Sequence, residues 1–258
     1  MTSLLLSDLK AGSLTISLNR PERANAFTLE MIGQLQDAFT QAANDSQVRV
    51  VVLTGTGHVF GAGQDIEEMK SNGETISYRE HLLKTYNPLI LQIRRIEKPV
   101  IAAVNGPCAG ASLGIAMACD IRLAADTANF VVGFNGIGLV PDSAVSLLLP
   151  VLVGVGRASE FTFTNAPISA SQALELGLVN RVYPASELIG EAQKLAVQLS
   201  AGPVGTYGLT KLAFNRAVLS NLEDVLNYEA DLQEIAGKRA EHKEGVAAFL
   251  GKRRPKYQ

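Results

Sequence analysis

One carboxylate in this chain stands apart from every other charge. The segment Ile137-Gly138-Leu139-Val140-Pro141-Asp142-Ser143 holds the only acidic residue between Asn129 and Ala158. Neighbours of this kind cannot balance its charge. A carboxylate that loses hydration in such company binds its proton more tightly and becomes a usable base near neutral pH. Asp142 also precedes Ser-Ala-Val-Ser-Leu-Leu-Leu, so a helix N-cap is the competing role. Val145 stands where a capping box would place Glu or Gln, and the two roles remain equally open.

Two small-residue turns offer a different chemistry. Phe60-Gly61-Ala62-Gly63-Gln64-Asp65-Ile66 and Asn105-Gly106-Pro107-Cys108-Ala109-Gly110-Ala111-Ser112 each follow an apolar, strand-like run. Glycine and alanine let a backbone come close to a ligand, and the start of a helix leaves N–H donors without partners. Side by side, the turns would form a two-donor pocket for an anion; alternatively they serve only tight turning and close packing. Other chemistries lack their residues. His58, His81 and His242 are isolated in sequence, which argues against a metal centre. Neither a Gly-X-Ser-X-Gly elbow nor a Walker-type loop is present. Gly55-Thr56-Gly57 is not followed by a helix-opening pattern, and Cys108 and Cys119 read as buried free thiols.

The positioning elements follow from the patterning. Of 258 residues 47% are hydrophobic, and 23 Lys+Arg against 25 Asp+Glu leave a net charge of −2. That supports a folded core and no basic field for nucleic acid or an anionic membrane. Ser13–Asn19 alternates as a strand, Thr28–Ala43 has helical spacing with Thr28 as N-cap, and Val48–Leu53 and Val100–Val104 are buried strands. Ser77–Ile96 reads as one long helix, Ala109–Ala118 as a helix and Ile121–Ala124 as a short strand. Beyond Asp142 the pattern is mostly helical apart from Gly177–Val182, with helices over Ser186–Ser200, Pro203–Leu219, Asn221–Ala236 and Glu241–Leu250. The order βαβα predicts an α/β core over residues 1–200 with a helical region over 201–258. Val100–Cys119 is uncharged but is broken by Asn105-Gly106-Pro107, leaving pieces too short to span a membrane. Met1–Leu9 carries no leader pattern, so a cytoplasmic location is expected.

Together, Asn19–Phe27, Phe60–Met69, Lys98–Gly106, Ala118–Arg122 and Ala173–Val179 resemble the crotonase (enoyl-CoA hydratase/isomerase) superfamily along essentially the whole chain. The resemblance implies a crotonase (ClpP-like) fold of stacked ββα units with a C-terminal helical trimerisation region, assembled as a homotrimer or dimer of trimers. It implies an acyl-CoA substrate and no cofactor, with the thioester oxygen held by the backbone N–H groups of Gln64 and Ala111. Arg23, Ala24, Ala26, Ala62, Gly63, Asp65, Ile66 and Gly110 would contact CoA or substrate, and Lys211 a phosphate. Phe134, Ile137, Val140 and Val145 would form apolar walls.

Departures from the family pattern narrow the chemistry. Gly114 and Phe134 stand where a hydratase has its two glutamates, which argues against adding water. Asp142 falls where ring-epoxide isomerases of phenylacetate degradation and some 3-enoyl-CoA isomerases keep their acid. In those isomerases Gly-Gly or Gly-Ser commonly follows the acid, whereas Ala144-Val145 follow here. The 4-chlorobenzoyl-CoA dehalogenases also carry this aspartate, with a tryptophan and a histidine where this chain has Phe134 and Asn87. The expectation is an isomerase that moves a double bond from the 3- to the 2-position or rearranges a ring-1,2-epoxyphenylacetyl-CoA to an oxepin. The alternatives are a non-catalytic acyl-CoA- or RNA-binding relative and a dehalogenase-like enzyme.

Overall fold

The β-branched runs become the centre of a six-stranded sheet. The computed structural model describes residues 3–71 and 77–257; Met1 and Thr2 of the Met1–Leu9 segment lie outside the described residues. The strands are β1 (Leu5–Lys10), β2 (Ser13–Leu18), β3 (Val50–Gly55), β4 (Val100–Val104), β5 (Cys108–Ala109), β6 (Ile121–Ala125), β7 (Asn129–Val131), β8 (Ile168–Ser169) and β9 (Arg181–Tyr183). The large sheet has the order β1-β2-β3-β4-β6-β9, antiparallel at β1-β2 and parallel elsewhere. A small second sheet has the order β5-β7-β8. β3 and β4 are buried at every residue, as strands covered on both faces require.

The helices are α1 (Leu29–Asn44), α2 (Glu68–Ser71), α3 (Tyr78–Lys84), α4 (Tyr86–Arg95), α5 (Ala111–Ala118), α6 (Val145–Val153), α7 (Val155–Thr164), α8 (Ala170–Glu175), α9 (Leu188–Ser200), α10 (Val204–Val218), α11 (Leu222–Gly237) and α12 (Ala240–Leu250). Thr28 caps α1 as expected, its hydroxyl accepting from Met31 N–H at 3.1 Å. Among the described residues no helix is long and apolar enough to cross a membrane.

One expected element divides. Ser77–Ile96 is two helices, α3 and α4, broken at Thr85 (φ −116°, ψ −84°). Pro88 explains the break, because inside a continuous helix its ring would collide with the carbonyl of Lys84, whereas in the first turn of α4 it displaces no hydrogen bond. The Thr85 hydroxyl seals the end of α3 by donating to His81 O at 2.6 Å. α11 packs on α3, α4 and α6, and α12 on the 3-10 turn Asn135–Ile137, so the helical region after residue 200 closes over the core beside Asp142.

Candidate active site

Pairing between main-chain segments brings the two small-residue turns together. Ala109 N–H donates to Gly61 O at 3.0 Å, and Phe60 N–H to Pro107 O at 3.0 Å. Gly63, with φ +85°, lies so close to the second turn that an added Cβ would sit 3.1 Å from Ala109 O and 3.4 Å from Ala111 N. Only glycine combines that approach with a left-handed backbone. Phe27 bridges to this turn in parallel, its N–H donating to Gly63 O (2.7 Å) and its carbonyl accepting from Asp65 N–H (2.9 Å). The intervening Gln64 N–H therefore points away from Phe27. Ala111 is the first residue of α5, where an amide has no intrahelical acceptor. Gln64 and Ala111 both line one cavity of about 360 Å³, and among the described residues neither amide has a backbone acceptor.

The Gln64 side chain is fixed from several sides. Its Oε1 accepts from Tyr86 Oη (2.8 Å) and from His81 Nε2 (3.1 Å), while its Nε2 donates to Phe27 O (3.1 Å). Burial pushes His81 down to about 4, so the ring is neutral at pH 7 and its Nε2 carries the proton that Gln64 accepts.

Asp142 lines the same cavity and is buried. Its Oδ1 accepts from Ser143 Oγ (2.7 Å) and its Oδ2 from Gln233 Nε2 (2.6 Å). Gln233 is itself oriented, because its Oε1 accepts from Val140 N–H at 3.0 Å. Burial raises the carboxyl to about 6, with the Ser143 and Gln233 bonds opposing the rise. The next two residues, Ser143 (φ +55°) and Ala144 (φ +64°), are both left-handed, a conformation that costs a non-glycine residue roughly 1–2 kcal/mol. This turn leans on Gly114 of α5, where an added Cβ would lie 2.4 Å from Ser143 O and 2.7 Å from Ser143 Cβ. Any side chain at position 114, which the resemblance matches to a hydratase glutamate, would need space that Ser143 fills.

The N-cap alternative for Asp142 is corrected. The residue capping α6 is Ala144, with no side-chain bond. Glu229 of α11 caps this helix instead, accepting from Ala144 N–H (2.9 Å), Ser146 N–H (3.0 Å) and the Ser146 hydroxyl.

The expected contact residues separate into two groups. Ala62, Gly63, Ile66, Gly110, Phe134 and Ile137 line the cavity with Gln64, Ala111 and Asp142. Arg23, Ala24, Ala26 and Asp65 brace the first turn from behind: Ala24 O accepts from Ala62 N–H at 3.0 Å, and Asp65 binds Arg20 at 2.7 Å with Arg23 at 3.8 Å. Burial disfavours the Asp65 charge, but the Arg20 guanidinium and the amides of Glu67 and Glu68 outweigh it and hold the carboxyl below its ordinary value. Val140 and Val145 do not line the cavity; Leu139 does. Lys211 needs a clear correction. It is buried, donates to Asp120 at 2.8 Å and lines a separate cavity beside Arg94 and Arg122, so its ammonium is committed to an ion pair. Asn87 is buried and ties α4 to Leu226 O at 3.0 Å.

Tyr78, His81, Tyr86, Gln233 and His242 also line the cavity, unannounced by any motif, and Phe249 lines it too. For Gln233 a signal existed. With Glu229 it interrupts the buried stripe Leu222, Leu226, Ala230, Ala236 of α11, and polar residues on a buried stripe need partners.

Residues 8–258 match the enoyl-CoA hydratase/isomerase family. The 1,2-epoxyphenylacetyl-CoA isomerase of Escherichia coli (strain K12) is 39% identical over 259 residues, spanning 100% of this chain and 99% of that one. The 4-chlorobenzoyl coenzyme A dehalogenase-2 of an Arthrobacter species is 35% identical over 220 residues, 84% of this chain and 80% of that one. The crystal structure of an enoyl-CoA hydratase from Mycobacterium avium subsp. paratuberculosis K-10 superposes with a TM-score of 0.90 at 35% identity, covering 100% of both chains. By whole-length match, shared fold and the paired turns that this fold builds, the chain belongs to the enoyl-CoA hydratase/isomerase family, the crotonases.

Proposed function

We propose that this crotonase is an acyl-CoA isomerase with Asp142 as its single base. The thioester oxygen accepts from Gln64 N–H and Ala111 N–H, where each such donor is worth ~10²–10³ in rate once the oxygen becomes an enolate. Asp142 takes a proton from C2 of a 3-enoyl chain, and the C–H electron pair moves into the C1–C2 bond as the charge passes to the thioester oxygen. When this dienolate collapses, the carbonyl re-forms, the 2,3 double bond is made and the electron pair of the opening 3,4 double bond takes the same proton back at C4. One carboxylate suffices for both transfers. The observation that carries this reading is that Asp142 is the one carboxylate lining the cavity among the described residues. Ser143 packed against Gly114 speaks against a second acid and so against hydration.

A ring-1,2-epoxyphenylacetyl-CoA, rearranged to an oxepin in the same pocket, is favoured as the aromatic form of the reaction. Tyr78, Tyr86, Phe134 and Phe249 all line the cavity, and the Escherichia coli relative carries that name. CoA would enter past the turn Pro21–Arg23, which places Arg23, Ala24 and Ala26 beside the first small-residue turn. The assembly we propose is a homotrimer, supported by the exposed apolar residues Leu209, Phe214 and Val218 of α10 and Tyr228 and Ile235 of α11.

The test supplies 3-hexenoyl-CoA and the ring epoxide separately and follows formation of the conjugated thioester or the oxepin. Turnover of either that is abolished in Asp142→Asn supports the reading. Tight CoA-ester binding without turnover of either would favour a binding protein, and chloride release from 4-chlorobenzoyl-CoA a dehalogenase.

A further inference from the structure

α11 presents two polar side chains to the Asp142 turn from one face. Glu229 and Gln233 are four residues apart, one helical turn, and both are buried. Gln233 grips the Asp142 carboxylate directly. Glu229 does not line the cavity; it binds the main chain immediately after the acid, at Ala144 and Ser146. Those bonds span one of the two left-handed residues that turn the chain from Asp142 into α6. Left-handed alanine and serine persist only where surrounding contacts over-determine them, and Glu229 supplies that determination.

We propose that Glu229 is a positioning residue for Asp142: through Ala144 and Ser146 its carboxyl group holds the strained Ser143–Ala144 turn that aims the acid into the cavity. The kinetic part of this proposal rests on the isomerase reading; the structural part does not.

Titratable groups from α3, α4 and α12 face the Asp142 side of the turn, and among the described residues the cavity lining holds neither Lys nor Arg. From α4 Tyr86 faces Asp142, and its hydroxyl is kept protonated by burial. From α3 the cavity receives Tyr78 and the neutral His81, and from α12 His242, whose Nε2 meets Tyr78 Oη at 2.7 Å. Burial, followed by the neighbouring Asp142 charge, lifts Glu229 to about 7 against the opposing bonds from Ser146 and Ala144. Asp142 therefore ionises before Glu229, which is largely protonated where Asp142 gives up its proton, and what Glu229 offers Asp142 is its hold on the turn.

The experiment is carbon-13 NMR titration of the side-chain carboxyls in the full-length protein, with the Asp142 signal assigned by its loss in Asp142→Asn, alongside kinetics. Glu229→Gln keeps the size of the side chain, removes the charge, and leaves one amide of the turn without its acceptor. Its expected result is an Asp142 midpoint that stays near 6, because Glu229 is largely protonated where Asp142 ionises. With turnover established, kcat falls roughly 10- to 100-fold while KM changes little, the split expected when a group acting on the transition state loses its aim. A kcat per folded molecule equal to the parent's overturns the proposal, since a purely structural helix cap changes only how much protein folds; so does a rate loss carried by a moved Asp142 midpoint, which would make basicity and not aim the cause. If Glu229→Gln does not fold, Ser146→Ala decides. Removing that hydroxyl donor loosens the hold of Glu229 on the turn, so a smaller fall in kcat per folded molecule supports the proposal and an unchanged kcat rejects it. In a protein that isomerises nothing, a crystal structure of Glu229→Gln with the Asp142 turn displaced sustains the positioning and fails the isomerase reading alone, and an undisplaced turn fails both.

Discussion

Asp142 gains its proton affinity at the expense of the fold. Its carboxyl moves from an ordinary 3.8 to about 6 because burial removes its hydration, and at roughly 1.4 kcal/mol per unit this costs about 3 kcal/mol when the group is ionised. The native state binds this proton more tightly than the unfolded chain does, so the group's favourable contribution is complete below about pH 4 and is lost as pH rises through 6. Asparagine at this position needs no ionisation: its oxygen accepts from Gln233 and its amide donates to the Ser143 hydroxyl. Asp142→Asn is therefore expected to melt several degrees higher than the parent at pH 8 and at nearly the same temperature at pH 4 by calorimetry, while turnover falls ~10²–10⁴-fold. The same ionisation sets the acid limb of kcat against pH, expected near 6 in a stopped or continuous enoyl-CoA assay; a flat profile from pH 5 to 8 would remove Asp142 as the base.

The turn that presents Asp142 depends on the close fit of α5 and α6, and the pivot is Gly114. A methyl there meets main-chain oxygen and Cβ of Ser143 at 2.4 and 2.7 Å, atoms that move only if the left-handed turn moves. Gly114→Ala is expected to cost about 1–3 kcal/mol in a urea titration, as overpacked core sites do, and to lower kcat because the acid is displaced. Gly114→Glu, which would restore a hydratase-like acid, is expected to yield no hydration of crotonyl-CoA, since the side chain must dislodge the base to enter. The α3–α4 break works at the same scale. Thr85 and Pro88 end one helix and begin another, and the bend lets His81 and Tyr86 both reach Gln64 Oε1. Tyr86→Phe removes one of those two anchors and is expected to raise KM and lower kcat by several-fold in the same assay, without a change in the acid limb.

At the scale of the molecule, the acid and the amides arrive from different layers. The amides belong to turns that leave β3 and β4, and the acid belongs to the entry of α6; α11 and α12 close over them from beyond residue 200. The outward sides of α10 and α11 keep Phe214, Leu209, Tyr228 and Ile235 exposed, large apolar side chains of the kind that subunit contacts bury. Sedimentation equilibrium is expected to return about three times the 27.4 kDa chain mass, and Phe214→Glu to lower that value; a monomer at micromolar concentration would refute the proposed assembly.

Much of this was readable in the chain itself because it is local. Thr28 as a cap, the buried runs Val48–Leu53 and Val100–Val104, the two small-residue turns and the isolation of Asp142 follow from residue type and spacing, while Gln64 and Ala111 as the donors within those turns came only with the family resemblance. Pro88 sits at the helix break, but the long periodic run around it reads as continuous. What only tertiary structure decided depends on neighbours remote in sequence. Asp142 is separated by 91 residues from Gln233, which binds it, and Ala144 by 85 from Glu229, which caps its helix. Lys211 has the composition of a phosphate ligand and the location of a buried counterion to Asp120. Charge and hydrogen-bond capacity are properties of a residue type, but the partner that spends them is chosen by packing between elements, and no local pattern encodes that choice.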